Sequence, residues 1–289
     1  MSNDIYSKAI LKIGITRYKD GIINVEDDIL AVEEPLEIRI SYGPLADRNT
    51  KSIAVTMRTP GHDIELSLGF LFTEGILQSR EQIIHAAHAA RAKTTTSREN
   101  IVQILLKENV EPDLQKLQRN FYTTSSCGVC GKESIDAIKV ECPVYPSKTI
   151  TASAATILSL PIQLREEQNL FESTGGIHAA ALFDLKGRML LLHEDVGRHN
   201  ALDKLIGAAL FSDHEKRMDL TESILLLSGR ASFELLQKAA MAGIPVVCAV
   251  GAPSSLAVQI AQEFCITLIG FLKTDRFNIY CGKERIIMV

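Results

Sequence analysis

The chain is poor in cysteine, has no long apolar run and is nearly balanced in charge, and each shortage removes a class of protein. Six cysteines in 289 residues are too few for a disulfide scaffold. A chain this long buries roughly three-quarters of its unfolded surface and needs no staple. The 31 Lys+Arg against 35 Asp+Glu leave a formal charge of −4, so no nucleic-acid partner is expected, though one local basic pocket fits that balance. The most apolar stretch, 241–252, is broken by Gly243, Pro245 and Gly251 and is far shorter than the roughly 20 residues of a membrane span. The opening residues lack the basic-then-apolar pattern of a secretory signal. A cytoplasmic protein without a membrane partner is therefore expected. Internal repeats and sizeable low-complexity tracts are also missing, which leaves globular domains, about two by length.

What is present falls into three parts. Residues 1–110 read as a small α+β domain, with strands at Glu37 to Tyr42, Lys51 to Thr59 and Ile101 to Leu106. Pro60-Gly61-His62-Asp63 is turn chemistry, with Asp63 placed to cap a helix from Ile64 to near Gly75. Ser79 and Gln82 have capping-box spacing, which predicts a second helix through Ala90. Residues 111–147 read as a mobile, polar connector. Residues 148–289 read as a larger α/β domain. Strands at Ala179 to Phe183 and Arg188 to His193 are joined by Asp184-Leu185-Lys186-Gly187, and Asn200 is placed to cap a helix from Ala201 to Leu210. Buried strands at 224–227, 245–250 and 266–272 then alternate with helices, a β-α-β-α-β order that predicts a parallel core.

Three groups of residues could carry chemistry. The loops Ser228-Gly229-Arg230-Ala231-Ser232 and Gly251-Ala252-Pro253-Ser254-Ser255 each open a helix after a buried strand. Small residues, free amides and the Arg230 fork suit a ligand with two phosphates; the alternative is that such loops only connect strand to helix. His193 to Asn200 gathers ionisable groups, Arg198 and His199 among them, where open sheets bind ligands; structurally, Asp195 could simply pair with Arg198. Thr174-Gly175-Gly176-Ile177-His178 is placed to face the same crevice, or His178 is a hydrogen-bonded core residue.

The third group is Cys127-Gly128-Val129-Cys130. A zinc knuckle needs a second pair, and only Cys142 is near, so no metal site is expected. A thioredoxin-type pair should open a helix after a core strand, whereas this one follows Thr123-Thr124-Ser125-Ser126. A sulfur carrier needs an exposed thiolate with a second thiol beside it, and Lys132 is near enough in sequence to stabilise that thiolate. Cys248 and Cys265 are assigned to core strands; Cys142 and Cys281 stay unassigned.

These motifs, with the run from Glu194 to Lys204 and Met57-Arg58-Thr59-Pro60-Gly61 near the front, resemble the FdhD family over nearly the whole chain. The resemblance implies a sulfurtransferase serving formate dehydrogenase. Sulfur would pass from a cysteine desulfurase, as a persulfide on Cys127 assisted by Cys130, to the molybdenum bis(molybdopterin guanine dinucleotide) cofactor. It also implies a homodimer, a larger domain similar to the cytidine deaminase fold, and a cofactor-binding stretch at Phe271, Leu272, Lys273, Thr274, Asp275 and Arg276. Ser228, Gly229, Arg230, Arg198 and His199 are expected beside it. The zinc ligands of a deaminase are missing, since His178-Ala179-Ala180 replaces H-x-E and the second half has no cysteine pair. Two other readings remain: a chaperone that binds the cofactor without chemistry, and a zinc-held nucleotide-binding protein.

Overall fold

A computed structural model describes residues 7–89, 99–113, 150–212 and 217–288. The first element is a hairpin of β1 (Ile10–Lys19) and β2 (Ile22–Ala31), paired antiparallel throughout. Its turn, Asp20-Gly21, holds both residues at positive φ (51° and 81°), the tight hairpin geometry that matches strand twist. Next come β3 (Glu34–Tyr42), β4 (Asn49–Arg58), helix α1 (Asp63–Thr73), β5 (Ile83–His88) and β6 (Ile101–Leu106). The four strands form a mixed sheet in the order β4-β3-β6-β5, with β3 parallel to β6.

Two sequence expectations fail in this part. The Ser79–Gln82 capping box is real, but it closes a single 3₁₀ turn and the chain then extends into β5 rather than a helix. Pairing with β6 supplies the backbone partners that a helix would have supplied. Asp63 does not cap α1 either. The cap position is His62, in the left-handed region at φ 56°, while both Asp63 carboxylate oxygens accept from the buried Arg58 guanidinium at 2.9 Å.

The second half opens with β7 (Ala152–Ser153), α2 (Ala154–Glu167) and α3 (Asn169–Thr174). Ser153 caps α2 by accepting the Thr156 amide at 2.9 Å. Strands β8 (His178–Asp184) and β9 (Met189–Asp195) lead to α4 (Arg198–Phe211). Then follow β10 (Ser223–Leu227), α5 (Phe233–Met241), β11 (Val246–Ala249), α6 (Ser255–Glu263), β12 (Thr267–Gly270), β13 (Asn278–Cys281) and β14 (Ile286–Ile287). Six strands form one sheet, β13-β12-β11-β10-β8-β9, in which β10, β11 and β12 are parallel. The β-α-β-α-β core is as expected.

Both faces of that sheet are dry, which is why its strands read as unbroken apolar runs. Ile224 and Leu226 face one cluster with Ile157, Leu160 and Leu164 of α2; Leu225 and Leu227 face the other. The second cluster runs on through α4 and α1 into the four-stranded sheet, so one core joins the two halves. α1 and α4 cross at Gly69 and Gly207. A Cβ on either would lie 1.9 Å from a carbonyl oxygen of the other helix, so only glycine permits this contact. α4 begins at Arg198 with Gly197 as its cap, not at Ala201. Asn200 instead reaches across to the Met57 carbonyl (2.7 Å) and to Asp195 (3.1 Å). Cys248 is in the core, whereas Cys265 is half-buried in the turn after α6 at φ 54°, not on a strand.

Candidate functional site

Because β10, β11 and β12 are parallel, the loops that follow them meet along one edge of the sheet, where β8 also begins. A cavity of about 640 Å³ opens there against α2 and α3. Leu164, Ile177, Val250 and Leu272 give it apolar surface, and His178, Ser228, Lys273 and Thr274 supply polar groups. Ser228 is held in place from both sides: its Oγ accepts the Ala179 amide at 2.8 Å, and its own amide donates to the Ala179 carbonyl at 3.0 Å. Burial, and then the Arg198 guanidinium, lower the pKa of His178, so the imidazole is neutral at pH 7.

The residues expected to bind a cofactor divide between this cavity and its surroundings. Ser228, Leu272, Lys273 and Thr274 line it. Gly229 lies just behind, since a Cβ there would be 3.4 Å from His178 Nδ1. Phe271 turns outward at φ 52° and is 45% exposed, with its amide tied to the Gly251 carbonyl. Asp275 and Arg276 are exposed on a turn closed by the Lys273 amide on the Arg276 carbonyl at 2.8 Å. Arg230 is exposed, its backbone against Gly251. Arg198 and His199 stand at the start of α4. The buried Arg198 Nε has no hydrogen-bond partner among the described residues, a donor left for a ligand. His199 lies 3.4 Å from Ser232 Oγ, and burial followed by Lys238 pulls its pKa down to about 4.

The two loops spend more of their amides on each other than the sequence suggests. Ala231 donates to Ala252, Gly251 to Gly229 and Ser254 to Ala231, at 2.9–3.2 Å. Gly251 is small because Arg230 Cγ would lie 3.0 Å from any Cβ placed there. The small residues thus serve loop-to-loop packing, and the polar side chains around the cavity are left to do the binding.

The polar run after β9 proves to be mostly internal. Asp195 does not pair with Arg198; its Oδ2 lies 2.7 Å from Lys204 Nζ, and both contact the Thr59 backbone. Asp203 meets Lys238 and Thr73 at 2.9 Å each. His193 packs edge-on against His62 at 4.5 Å, and burial pushes its pKa down to about 3. A second cavity of about 750 Å³ lies at the start of α1, bounded by Arg58, His62, Glu65 and His88.

Cys127, Cys130 and Cys142 lie outside the described residues. Cys281 is half-buried with its thiol on the Ile266 carbonyl, and burial raises its pKa. Among the described residues no cluster of three or more His, Cys, Asp or Glu could hold a metal, and no helix is long and apolar enough to cross a membrane. Arg165, Gln168 and Phe171 also line the cavity and belong to none of the sequence motifs. They precede the recognisable motifs: Arg165 is on α2, whose pattern Pro161 disguises, Gln168 is at the turn that follows, and Phe171 is on α3.

A mixed α/β protein with a ligand-sized cavity at the carboxyl ends of parallel strands is the class these features define. The chain belongs to the FdhD/NarQ family, whose model matches residues 31–287. A protein of Mycolicibacterium paratuberculosis named sulfur carrier protein FdhD is 47% identical over 94% of this chain and 97% of its own. One of the same name from Sulfolobus acidocaldarius is 41% identical over 96% of this chain and 98% of its own. A solved chain from Desulfotalea psychrophila, provisionally described as a formate dehydrogenase accessory protein, shares the fold. Its TM-score is 0.73 at 23% identity, over 96% of this chain and all of that one.

Proposed function

We propose that this chain is a sulfur carrier in formate dehydrogenase maturation, acting as a sulfurtransferase through Cys127 and Cys130. The Cys127 thiolate attacks the terminal sulfur of a cysteine desulfurase persulfide; a new S–S bond forms on Cys127 and the desulfurase cysteine leaves as thiolate. Cys130 then attacks Cys127 Sγ, forming a disulfide and expelling the sulfur as hydrosulfide toward the acceptor. A cellular dithiol resets the pair. The acceptor is the molybdenum bis(molybdopterin guanine dinucleotide) cofactor, which is the substrate of the transfer and not a resident group.

The observation that carries this reading is the cavity, which gathers Ser228, Lys273 and Thr274 beside a neutral His178. Lysine and hydroxyl donors suit phosphate oxygens, and the unpartnered Arg198 Nε at the helix start suits a further one. Relatives that bear the name sulfur carrier support the transfer role. The six-stranded sheet, with helices on both faces, supports a fold relation to cytidine deaminases without their zinc ligands. The working form is taken to be a cytoplasmic homodimer, which light scattering of the purified chain would check.

The test is to incubate the protein with a cysteine desulfurase and cysteine and measure intact mass. A sulfur adduct on the wild type that disappears in Cys127→Ala is expected. An adduct retained when both cysteines are replaced would end the carrier role and leave a cofactor chaperone.

A further inference from the structure

The six-stranded sheet ends at β9, which pairs with β8 on one side. On the other side the backbone of Met189, Leu190, Leu191 and Leu192 makes no hydrogen bond to any further element among the described residues. Beyond them the same edge is closed: His193 packs against His62, and Asp195 accepts the Thr59 amide at 3.2 Å. A free edge presents N–H and C=O groups that another extended backbone can pair. Proteins usually blunt such edges with charge, yet all four side chains here are large, apolar and half-buried.

A groove of about 460 Å³ runs between this edge and α2, lined by the four residues with Gln163, Glu166 and Glu167. Gln163 donates to the Gly187 carbonyl at 2.9 Å and ties α2 to the β8–β9 hairpin. Glu166 and Glu167 are exposed, and neither carboxylate is in an ion pair among the described residues. Arg188 is paired with Asp184 at 3.2 Å, and Arg165 lies over the Phe171 ring, so both negative charges face the groove uncompensated. None of these lining residues lines the cavity beside Ser228 and Lys273.

We propose that the β9 edge docks a protein partner by strand addition. An extended segment of alternating basic and apolar residues pairs its backbone with Met189 to Leu192 and sets its basic side chains against Glu166 and Glu167. A second copy of this chain is the poorer occupant, because a two-fold pairing of β9 with itself brings the same glutamates to both sides of the contact.

The test uses the full chain and two fluorescent six-residue probes, one alternating lysine with valine and one alternating glutamate with valine. Binding is followed by anisotropy and the backbone by amide hydrogen exchange. The lysine probe binds and slows exchange at residues 189–192, and the glutamate probe does neither. Methylating alternate backbone nitrogens of the lysine probe weakens it about tenfold or more, as does Glu166→Lys with Glu167→Lys, which leaves the thermal melt unchanged. No binding of the lysine probe overturns the proposal, as does equal binding of both probes without slowed exchange at 189–192. Exchange there that slows with rising protein concentration and no probe assigns the edge to a second copy and overturns it too.

Discussion

Two groups of polar residues lie close together in this fold and behave in opposite ways. Ser228, Lys273, Thr274 and His178 line a concave surface, and at the start of α4 the buried Arg198 Nε has no hydrogen-bond partner among the described residues. A few residues away, Asp195, Lys204, Asp203 and Lys238 are sealed between the two halves of the molecule, paired at 2.7–2.9 Å. Both groups follow a buried strand and both are rich in charge. Only the completeness of their bonding separates them. A satisfied, dry ion pair is cement; an open donor at a cavity is a site.

The largest effect should come from breaking the cement. Lys204→Met leaves Asp195 buried without its cation and should cost about 3–5 kcal/mol in urea unfolding, with Asp195→Asn in the same chain recovering part of the loss. Gly207→Ala forces a methyl into the Glu65 carbonyl at the helix crossing and should cost about 1–3 kcal/mol or prevent folding, seen as a lowered melting temperature.

A pH effect of similar size follows from His193. Its folded pKa, about 3, lies below the ordinary histidine value, so the unfolded chain takes up the proton first. The stability it supports is whole above about pH 6.5 and declines as pH falls toward 3, by about 2 kcal/mol at pH 5. Urea titrations across that range should show the slope, and His193→Phe should flatten it. His199 adds a slope of the same sign. The smallest stability effect belongs to the cavity: Lys273→Ala should change unfolding by no more than about 0.5 kcal/mol while clearly weakening GDP binding.

How much of this was legible depended on whether a local rule decided the structure. The unbroken apolar runs of β10, β11 and β12 gave away a sheet buried on both faces. The same arithmetic could not distinguish cavity from cement, because Asp195 finds its partner nine residues along and on the far side of a helix turn, in Lys204. The capping box at Ser79 misled because the turn it closes is shared by a 3₁₀ turn and a helix, and pairing with β6 decided the outcome. Conversely, Asp20-Gly21 is a hairpin signal with weak flanks, which mix Ile and Val with charge and lack clean alternation because so little of the hairpin is buried. Gln168 and Phe171 matched no motif. Only the cavity reveals them.

If the proposed cysteine pair and the cavity are two halves of one transfer, sulfur release must depend on both. Protein loaded with persulfide on Cys127 is mixed with the guanine dinucleotide molybdenum cofactor, and the sulfur adduct is followed by intact mass. The adduct should be lost from the wild type on mixing and persist in Lys273→Ala, which loads normally. Equal loss from both proteins, or no loss from either, would contradict it.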